Sequence, residues 1–548
     1  MLVNFIHKNK LLLIFLTIGI IWTVIAQVPM LLLANRAPPN TTFTFDPQTR
    51  TAMDYPVYLS AITQGSHGAW FMQNSFGPEP SNPTSFYFFY VLLGKLTGFI
   101  GLESYIVFHS TRFLFTIIFF LAIFKLSTFV LGKKAGFWAN VFAITATTMP
   151  KFIYNEHPQG FIEYVPWWAF FESLKRLESA PHYLAGYSLL LITVYQVFAH
   201  IKDSKPSRIL FLAASTIFAG LFLPSSLIPL LFALPASFVT HSIINSIKNK
   251  RLVIDKKLIA PFLAVMISGI VILGIVKLEE LNGFPWNTWN KDEVARWNKG
   301  TPLVNMQMVY TFGILFFISL PVIIHAWMKR SFIMIFVWFW AFAPFLLNPL
   351  TPIFQVASIR LLNGAPYVPF SLLSIYLIFK ILPVKKAYIK SLIAFSIVIF
   401  TFIPASYEQL KIHIDFNQNK QMIYTNHFIP QPAWNIFIYI SKNIPKNSVI
   451  MGDWFTSNIL PAYAPVKTYV GHTLLTQNFF EKKYLSERFY SNNLSEEGAL
   501  NILKASNITY VYYGSGEQRY AGSLKYTFLE PVYEDGGYVL YEVISNKK

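Results

Sequence analysis

The residues best suited to chemistry in this 548-residue chain are a few acids and bases beside long apolar segments. Asp54 is the first of them, and it stands among Met53, Tyr55 and Pro56. We expect apolar neighbours to desolvate its carboxylate in part, which suits a general base acting on an acceptor hydroxyl or amide. The alternative is a purely local role, because Asp before Tyr-Pro is also typical of a helix N-terminus.

A second group of polar residues follows the third apolar segment. Asn155, Glu156 and His157 are consecutive and precede Pro158, and Glu163 follows them. Carboxylate, amide and imidazole groups in an irregular turn could hold a divalent cation such as Mg²⁺ or Mn²⁺, or contact an acceptor. The alternative is a set of solvated loop charges.

Three basic residues could bind the phosphate of a lipid-linked donor. Arg360 is the only charge between Arg330 and Lys380, and a lone guanidinium at membrane depth is a functional hypothesis. Its planar fork matches phosphate geometry. Arg176 and His182 stand before and at the start of the fourth apolar segment. They could hold a phosphate or simply extend toward the membrane surface.

The elements that carry these residues are membrane helices. Hydrophobic residues make up 54% of the chain and charged residues only 13%, against about 25% charged in soluble domains. The sequence therefore predicts a polytopic α-helical membrane protein. We predict eleven spans, at residues 11–33, 105–131, 135–150, 183–200, 208–223, 225–246, 258–277, 304–327, 331–348, 365–383 and 388–404. The apolar stretch 86–102 is predicted to be a re-entrant or interfacial helix.

The distribution of charge predicts the orientation of these spans. If 86–102 does not cross, basic residues dominate every second loop, where the only acids are Asp203 and Asp255. The positive-inside rule then places the N-terminus in the cytoplasm and the chain after residue 404 outside the cell membrane. The first run is favoured as a retained helix over a cleaved signal peptide. Loops at 34–103, 151–181, 278–303 and 349–364 are expected on the outer face.

The chain is expected to divide into a transmembrane catalytic domain, 1–404, and an extracytoplasmic soluble domain, 405–548. Two predicted strands, 447–453 and 508–513, flank a predicted helix at 494–505, and a hairpin turns at Glu534-Asp-Gly-Gly537. This order indicates a small α/β module. Gly514-Ser-Gly516 lacks the spacing of a phosphate-binding loop.

Composition also excludes several classes of protein. The chain has no cysteine, which excludes disulfides, thiolate metal sites and cysteine nucleophiles. Its net charge of +18 lies largely in short loops between spans, so it indicates topology, and no nucleic-acid partner is expected. Motifs of soluble nucleotide-binding enzymes and hydrolases are absent.

Together these features resemble the GT-C superfamily of membrane glycosyltransferases. The resemblance lies in Asp54 with Tyr55 and Tyr58, in the cluster at 155–157, in Arg360 before Pro-Tyr-Val-Pro, and in the order of loops and tail. The superfamily includes protein O-mannosyltransferases, aminoarabinose transferases, catalytic subunits of oligosaccharyltransferases and an RgtA/B/C/D-like bacterial group. The tail lacks the Trp-Trp-Asp motif of oligosaccharyltransferases.

The resemblance implies roles for these residues and an activity for the chain. Asp54 would be the catalytic base, Glu156 would bind metal or acceptor, and Arg360 would contact the donor phosphate. The expected activity is inverting transfer of a sugar from a polyprenyl-phosphate donor to an extracytoplasmic glycan, lipid or envelope component. A transporter or flippase of such substrates is the rival interpretation, and a non-catalytic envelope-assembly factor is a third.

Overall fold

The computed structural model describes residues 2–45, 53–149, 172–298, 309, 312–418 and 428–544. It divides into two compact units. The helical unit comprises Met1–Pro29, Thr111–Val276 and Lys291–Phe416, and the mixed unit comprises Met30–Ser110, Lys277–Asn290 and Asn417–Lys548. This division follows packing and cuts across the predicted topological boundary at residue 404, which remains a prediction.

Long apolar helices confirm the predicted fold class, an integral membrane protein with a C-terminal α/β domain. Within the described residues, seven helices are long and apolar enough to cross a membrane: Asn9–Ala34, Ser104–Leu131, Pro181–Asp203, Pro224–Asn249, Lys256–Asn282, Phe332–Phe354 and Ala387–Asp415. Large apolar side chains remain exposed on them, including Ile20, Ile267 and Phe400. Such surfaces are stable against lipid and not against water.

The other four predicted spans also form helices, but shorter ones. Apolar helices of 10–17 residues lie at Ser207–Phe222, Ile314–Lys329 and Tyr367–Ile381, and a 13-residue helix lies at Lys133–Thr145. The stretch predicted to be interfacial forms the 13-residue helix Phe88–Ile100. This helix is also shorter than the roughly 20 residues that a full span needs. Each of the eleven predicted segments, and this one, thus contains a helix within its described residues.

Aromatic side chains fill the core of the helical unit. Phe198 packs edge-on against Phe336 at 5.3 Å between ring centroids, and Phe312 packs against Phe370 at 4.7 Å. The buried Trp340 donates its indole N–H to the carbonyl oxygen of Gly364 at 2.7 Å. That bond anchors the segment that carries Arg360.

The helix Asp54–Ser66 packs closely against Phe88–Ile100 in the mixed unit. Gly65 and Gly94 meet at the contact, and a Cβ atom at either would collide with the backbone of the other helix. Near these helices, strand β1 (Thr41–Phe43) pairs antiparallel with β2 (Phe428–Pro430). The glycines therefore fix the position of the helix on which Asp54 is the first residue.

A five-stranded sheet forms the core of the C-terminal domain, in the order β4-β3-β5-β7-β6. Strand β3 pairs parallel with both β4 and β5, and β5, β7 and β6 run antiparallel in turn. The strands are β3 (Val449–Met451), β4 (Lys467–Thr468), β5 (Ile508–Tyr513), β6 (Leu529–Asp535) and β7 (Tyr538–Val543). The predicted strands, helix and hairpin of this domain are all observed.

Further helices connect these elements. In the helical unit they are Lys175–Glu178, Thr351–Phe354 and Ser358–Asn363. The helix Trp286–Asn298 follows Lys256–Asn282 in the chain. In the C-terminal domain they are Gln431–Asn443, Trp454–Ile459, Phe479–Tyr490 and Glu496–Ala505.

Candidate functional site

Asp54 lies in the first turn of its helix and is bound by a histidine from the C-terminal domain. Its Oδ1 atom is 3.2 Å from Nε2 of His472. The helix N-cap is Met53, with no side-chain cap, so the expected capping role is wrong, although a carboxylate in the first turn still favours the helix dipole. The Asp54 side chain is 40% exposed, so it is partly withdrawn from water and still accessible.

The hydrogen bonds of His472 define which of its nitrogens carries the proton. The backbone N–H of Leu474 donates to Nδ1 at 3.2 Å, so Nδ1 must be an unprotonated acceptor. The proton of the neutral ring is then on Nε2, which donates to Asp54. His472 is 2% exposed, and the ring of Trp289 lies nearly parallel to it at 6.3 Å. The imidazole is therefore a fixed donor that orients the carboxylate.

Two tyrosines near the start of the helix, Tyr55 and Tyr58, fix its position. Tyr55 donates its hydroxyl to the carbonyl oxygen of Thr44 at 2.7 Å and lies 3.1 Å from Nε2 of His109. Tyr58 stacks on Tyr90 at 4.8 Å. Asp54 therefore begins a helix whose position is held by several buried contacts.

Arg360, in the helical unit, is not the lone guanidinium that the sequence predicted. Its Nε and Nη2 atoms donate to the two carboxylate oxygens of Glu293, at 2.8 and 2.5 Å. Such a bidentate pair neutralises the charge and fixes the plane of the guanidinium. Glu293 lies 67 residues earlier in the chain, so Arg360 is isolated in the sequence but paired in the fold.

Arg176 is buried, so its expected extension toward the membrane surface is wrong. Its Nη1 and Nη2 atoms donate to the carbonyl oxygens of Ala143 and Ala146, at 2.7 and 2.8 Å. These carbonyls belong to the end of the helix Lys133–Thr145, where acceptors lack partners within the helix. The guanidinium lies 4.0 Å over the ring of Tyr367, and burial lowers the pKa of Arg176 to about 10.

Two of the three predicted donor-binding residues, Arg176 and Arg360, lie within electrostatic range of Tyr187, and the third, His182, lies within range of Arg360. The charges of Arg176 and Arg360 both act on the hydroxyl of Tyr187, and the charge of Arg360 also acts on the ring of His182. Tyr187 is 2% exposed, and its hydroxyl has no hydrogen-bond partner among the described residues. A buried, unpaired hydroxyl is unfavourable unless a ligand completes it. We name Arg176, His182, Tyr187 and Arg360 the basic cluster.

Further buried charges lie on the segment just before Pro181–Asp203. Burial raises the pKa of Glu178 to about 8, opposed by the charges of Arg112 and Lys175. Glu172 accepts a hydrogen bond from Nε2 of His413 at 2.6 Å. This segment is thus fixed to the helical unit by paired charges.

The predicted metal or acceptor residues lie outside the described residues: Asn155, Glu156, His157 and Glu163. Within the described part of the chain, no group of three or more His, Asp or Glu side chains could hold a metal ion. Asp54 is joined there only by His472, which donates a proton and therefore cannot ligate through Nε2. The described residues alone therefore do not form a site for a divalent cation.

Two important partners, His472 and Glu293, were missed by sequence reasoning. His472 lies 418 positions from Asp54, in the short sequence Gly-His-Thr after a strand. The only available signal in the sequence was that each is a titratable residue in an otherwise aromatic or polar segment between apolar stretches or after them. That signal is too common to select them.

Comparisons with known proteins were made by sequence and by structure. No protein-family model matches the chain, and no curated protein matches it. Among solved structures, an oligosaccharyltransferase of Archaeoglobus fulgidus tethered to an acceptor peptide is 15% identical, with a TM-score of 0.49, over 93% of this chain and 70% of that one. A complex of AglB from Archaeoglobus fulgidus with an inhibitory peptide and dolichol-phosphate is 14% identical, with a TM-score of 0.47, over 92% of this chain and 69% of that one.

ArnT from Cupriavidus metallidurans, bound to undecaprenyl phosphate, is 10% identical, with a TM-score of 0.45, over 98% of this chain and 99% of that one. These enzymes are of two kinds that the sequence resemblance names, oligosaccharyltransferases and aminoarabinose transferases. At these identities and scores the likeness does not assign an activity to this chain.

Proposed function

We propose that the chain is an integral-membrane glycosyltransferase that takes a sugar from a polyprenyl-phosphate donor. The acceptor is an extracytoplasmic glycan, lipid or envelope component. The observation that carries the proposal is the basic cluster, in which two arginines act on a buried hydroxyl without a partner among the described residues. This site suits a phosphate whose lipid chain stays in the bilayer.

The basic cluster supplies the two features that a departing lipid phosphate needs. Arg360 offers a planar guanidinium held by Glu293, and Tyr187 offers a hydroxyl donor. Arg176, already bound to two carbonyl oxygens, contributes charge and positions Tyr367 beneath it. Preorganised charge in a low-dielectric site stabilises the anion that develops as the leaving group departs.

Asp54 is proposed as the general base. An acceptor oxygen attacks the anomeric carbon of the donor, the bond from that carbon to the phosphate oxygen breaks, and the acceptor proton passes to Asp54. A single displacement of this kind inverts the anomeric configuration. His472 fixes Oδ1, and Oδ2 has no hydrogen-bond partner among the described residues, so it can accept the proton.

The transporter or flippase interpretation is not favoured. Ionisable groups that carry a substrate across a membrane need exchangeable partners. Arg176 and Arg360 are instead bound to fixed carbonyl oxygens and to the carboxylate of Glu293.

The chain is proposed to be a multi-pass protein of the cell membrane, with a cytoplasmic N-terminus and an extracytoplasmic C-terminal domain. Because the chain has no cysteine, single cysteines can report on this directly. Ser204→Cys should be labelled by a membrane-impermeant maleimide only after permeabilisation, and Ser523→Cys should be labelled in intact cells. The reverse pattern would contradict the orientation.

Metal use is proposed only through the second loop, by Glu156 with Asn155, His157 and Glu163. Transfer activity should then fall on dialysis against EDTA and return with Mg²⁺ or Mn²⁺. Unchanged activity after exhaustive chelation would remove the metal from the proposal and leave the acceptor as the ligand of this loop.

The proposed function is tested by following sugar from a radiolabelled lipid-linked pool to a lipid-free or acceptor fraction in membranes that contain the full chain. Arg360→Ala should abolish transfer, and Arg360→Lys should restore part of it. Because Arg360→Ala leaves Glu293 unpaired, Arg360→Ala combined with Glu293→Gln controls for that buried charge. Transfer at the wild-type rate in the folded double variant would exclude Arg360 from the donor site.

A further inference from the structure

A pocket in the C-terminal domain opens where two parallel strands end. Asp453 follows β3, and the turn Gly514-Ser-Gly516 follows β5, its parallel neighbour. In sheets of this kind the carboxyl ends of parallel strands are the usual place for ligands. The enclosed part of the pocket has a volume of about 40 Å³, and the pocket reaches about 420 Å³ when its open mouth is included.

Asp453 presents one carboxylate oxygen to this pocket. Its Oδ1 atom accepts the backbone N–H groups of Phe455 and Thr456, at 3.1 and 2.7 Å, and so caps the helix Trp454–Ile459. Oδ2 has no hydrogen-bond partner among the described residues. Asp453 as a whole is only 5% exposed and lines the pocket, so a donor that enters the pocket can pair with Oδ2. The ligand that completes it must donate a hydrogen bond.

Gly516 keeps this oxygen open. A Cβ atom at residue 516 would lie 3.0 Å from Oδ2 of Asp453, so any side chain there would crowd the only unpaired oxygen. Gly516 also lines the pocket. The backbone conformation of Gly516 is one that other residues also adopt, so it does not by itself require glycine. Access of a ligand to Oδ2 does favour glycine at this position.

A second, fully buried carboxyl group lies behind Asp453. Glu517 is fully buried, and its two oxygens accept the backbone N–H groups of Asp453 and Gly514, at 2.8 and 3.0 Å. Burial and the charge of Asp453 raise the pKa of Glu517 to about 8. Glu517 therefore keeps its proton near neutral pH, and the negative charge of Asp453 at the base of the pocket repels a negatively charged ligand.

The walls of the pocket are aromatic. Phe437, Phe455, Tyr512 and Tyr538 line it, and Arg519 stands at its exposed rim. Aromatic faces pack well against the apolar C–H faces of a sugar ring, while a carboxylate at the base accepts from a hydroxyl. A neutral saccharide combines these two properties, and a phosphate or a purely apolar ligand does not.

We infer that this pocket binds a neutral saccharide, with a hydroxyl donating to Oδ2 of Asp453 and a ring face against the aromatic wall. The identification of this saccharide with part of the acceptor rests on the proposed function. The binding itself does not, because every residue that carries it lies in the C-terminal domain.

The test measures saccharide binding by the full chain in detergent, using saturation-transfer NMR. The protein carries Asp54→Asn throughout, so that binding is read without transfer. The probes are neutral di- and trisaccharides of glucose, galactose, mannose and N-acetylglucosamine, with sorbitol and spermidine for comparison. At least one saccharide should bind, and neither sorbitol nor spermidine should compete with it.

Two variants then locate the site. Asp453→Asn should weaken binding about tenfold, because it replaces the accepting oxygen with a donor while Asn caps a helix as well as Asp does. Gly516→Ala should weaken it similarly by covering Oδ2. Glu542→Gln, an equal change of charge on an exposed residue of β7, should leave binding unchanged.

Absence of binding by every saccharide, or equal binding in the Asp453→Asn and Gly516→Ala proteins, would overturn the inference. Displacement of the saccharide by spermidine would overturn it too, in favour of a cation site. If saccharide binding holds while wild-type protein shows no sugar transfer, the proposed function fails and this inference stands.

Discussion

The helical unit and the mixed unit hold their charged groups in opposite ways. In the helical unit, Arg176 is hydrogen-bonded to two carbonyl oxygens and Arg360 is ion-paired with Glu293. In the mixed unit, Asp54 is 40% exposed and bound by a single donor, His472. Charge that binds a ligand in a low-dielectric site must be fixed in advance. Charge that exchanges protons must stay accessible.

The largest expected effect concerns the accessible carboxylate. Asp54→Asn should lower transfer of radiolabelled sugar at least about 100-fold, because general-base catalysis contributes on that scale. Asn retains an oxygen for the His472 hydrogen bond, so the helix should stay in place. Binding of polyprenyl phosphate should not change, since the variant leaves the basic cluster intact. Full activity in the variant would remove Asp54 from the mechanism.

The next prediction concerns His472, which positions Asp54. His472→Ala should lower kcat about tenfold, the effect of losing one hydrogen bond to a charged group, with little change in KM for the donor. His472→Gln should restore most of kcat, because its Nε2 amide can donate as the imidazole does.

His472→Asn, whose shorter side chain does not reach Asp54, is the matched control. A role limited to folding predicts that all three variants lose thermal stability together and that kcat per folded molecule is unchanged. That pattern would contradict the assignment.

A smaller effect is expected at Tyr187 in the helical unit. Tyr187→Phe should weaken binding of polyprenyl phosphate about fivefold, the equivalent of about 1 kcal/mol for one hydrogen bond. Thermal stability without ligand should stay equal or rise, because the unpaired hydroxyl is removed. Unchanged affinity would mean that the hydroxyl faces no ligand.

The last test concerns the stability of the fold instead of transfer, and it is a dependence on pH. Burial raises the pKa of Glu517 from 4.5 to about 8, so the folded chain keeps this proton where the unfolded chain has lost it. Its contribution is complete below about pH 4.5 and disappears as the pH rises through 8. The melting temperature of the wild-type protein should therefore fall from pH 5 to pH 9 by more than that of Glu517→Gln. Parallel curves would contradict the raised pKa.

Local elements of this fold could be predicted, and long-range pairs could not. The strand Ile508–Tyr513 was predicted with its observed bounds, because alternating β-formers between turns define it locally. The partner of Asp54 lies 418 positions away, and that of Arg360 lies 67 positions away. No spacing rule connects such residues.

The same limit explains the errors at the candidate site. Arg360 was expected to be a lone charge, but Glu293 binds it in the fold. Arg176 was expected to extend toward the membrane surface, but two carbonyl oxygens at the end of a neighbouring helix bind it instead.

The central claim is that the basic cluster binds the phosphate of a polyprenyl lipid. A polyprenyl phosphate with a photoreactive diazirine on its first isoprene unit tests it directly in the full chain. We predict cross-links to Pro181–Asp203 and Ser358–Asn363, which unlabelled polyprenyl phosphate suppresses and phosphate-free polyprenol does not. Cross-links confined to other segments, or equal suppression by the polyprenol, would contradict the account.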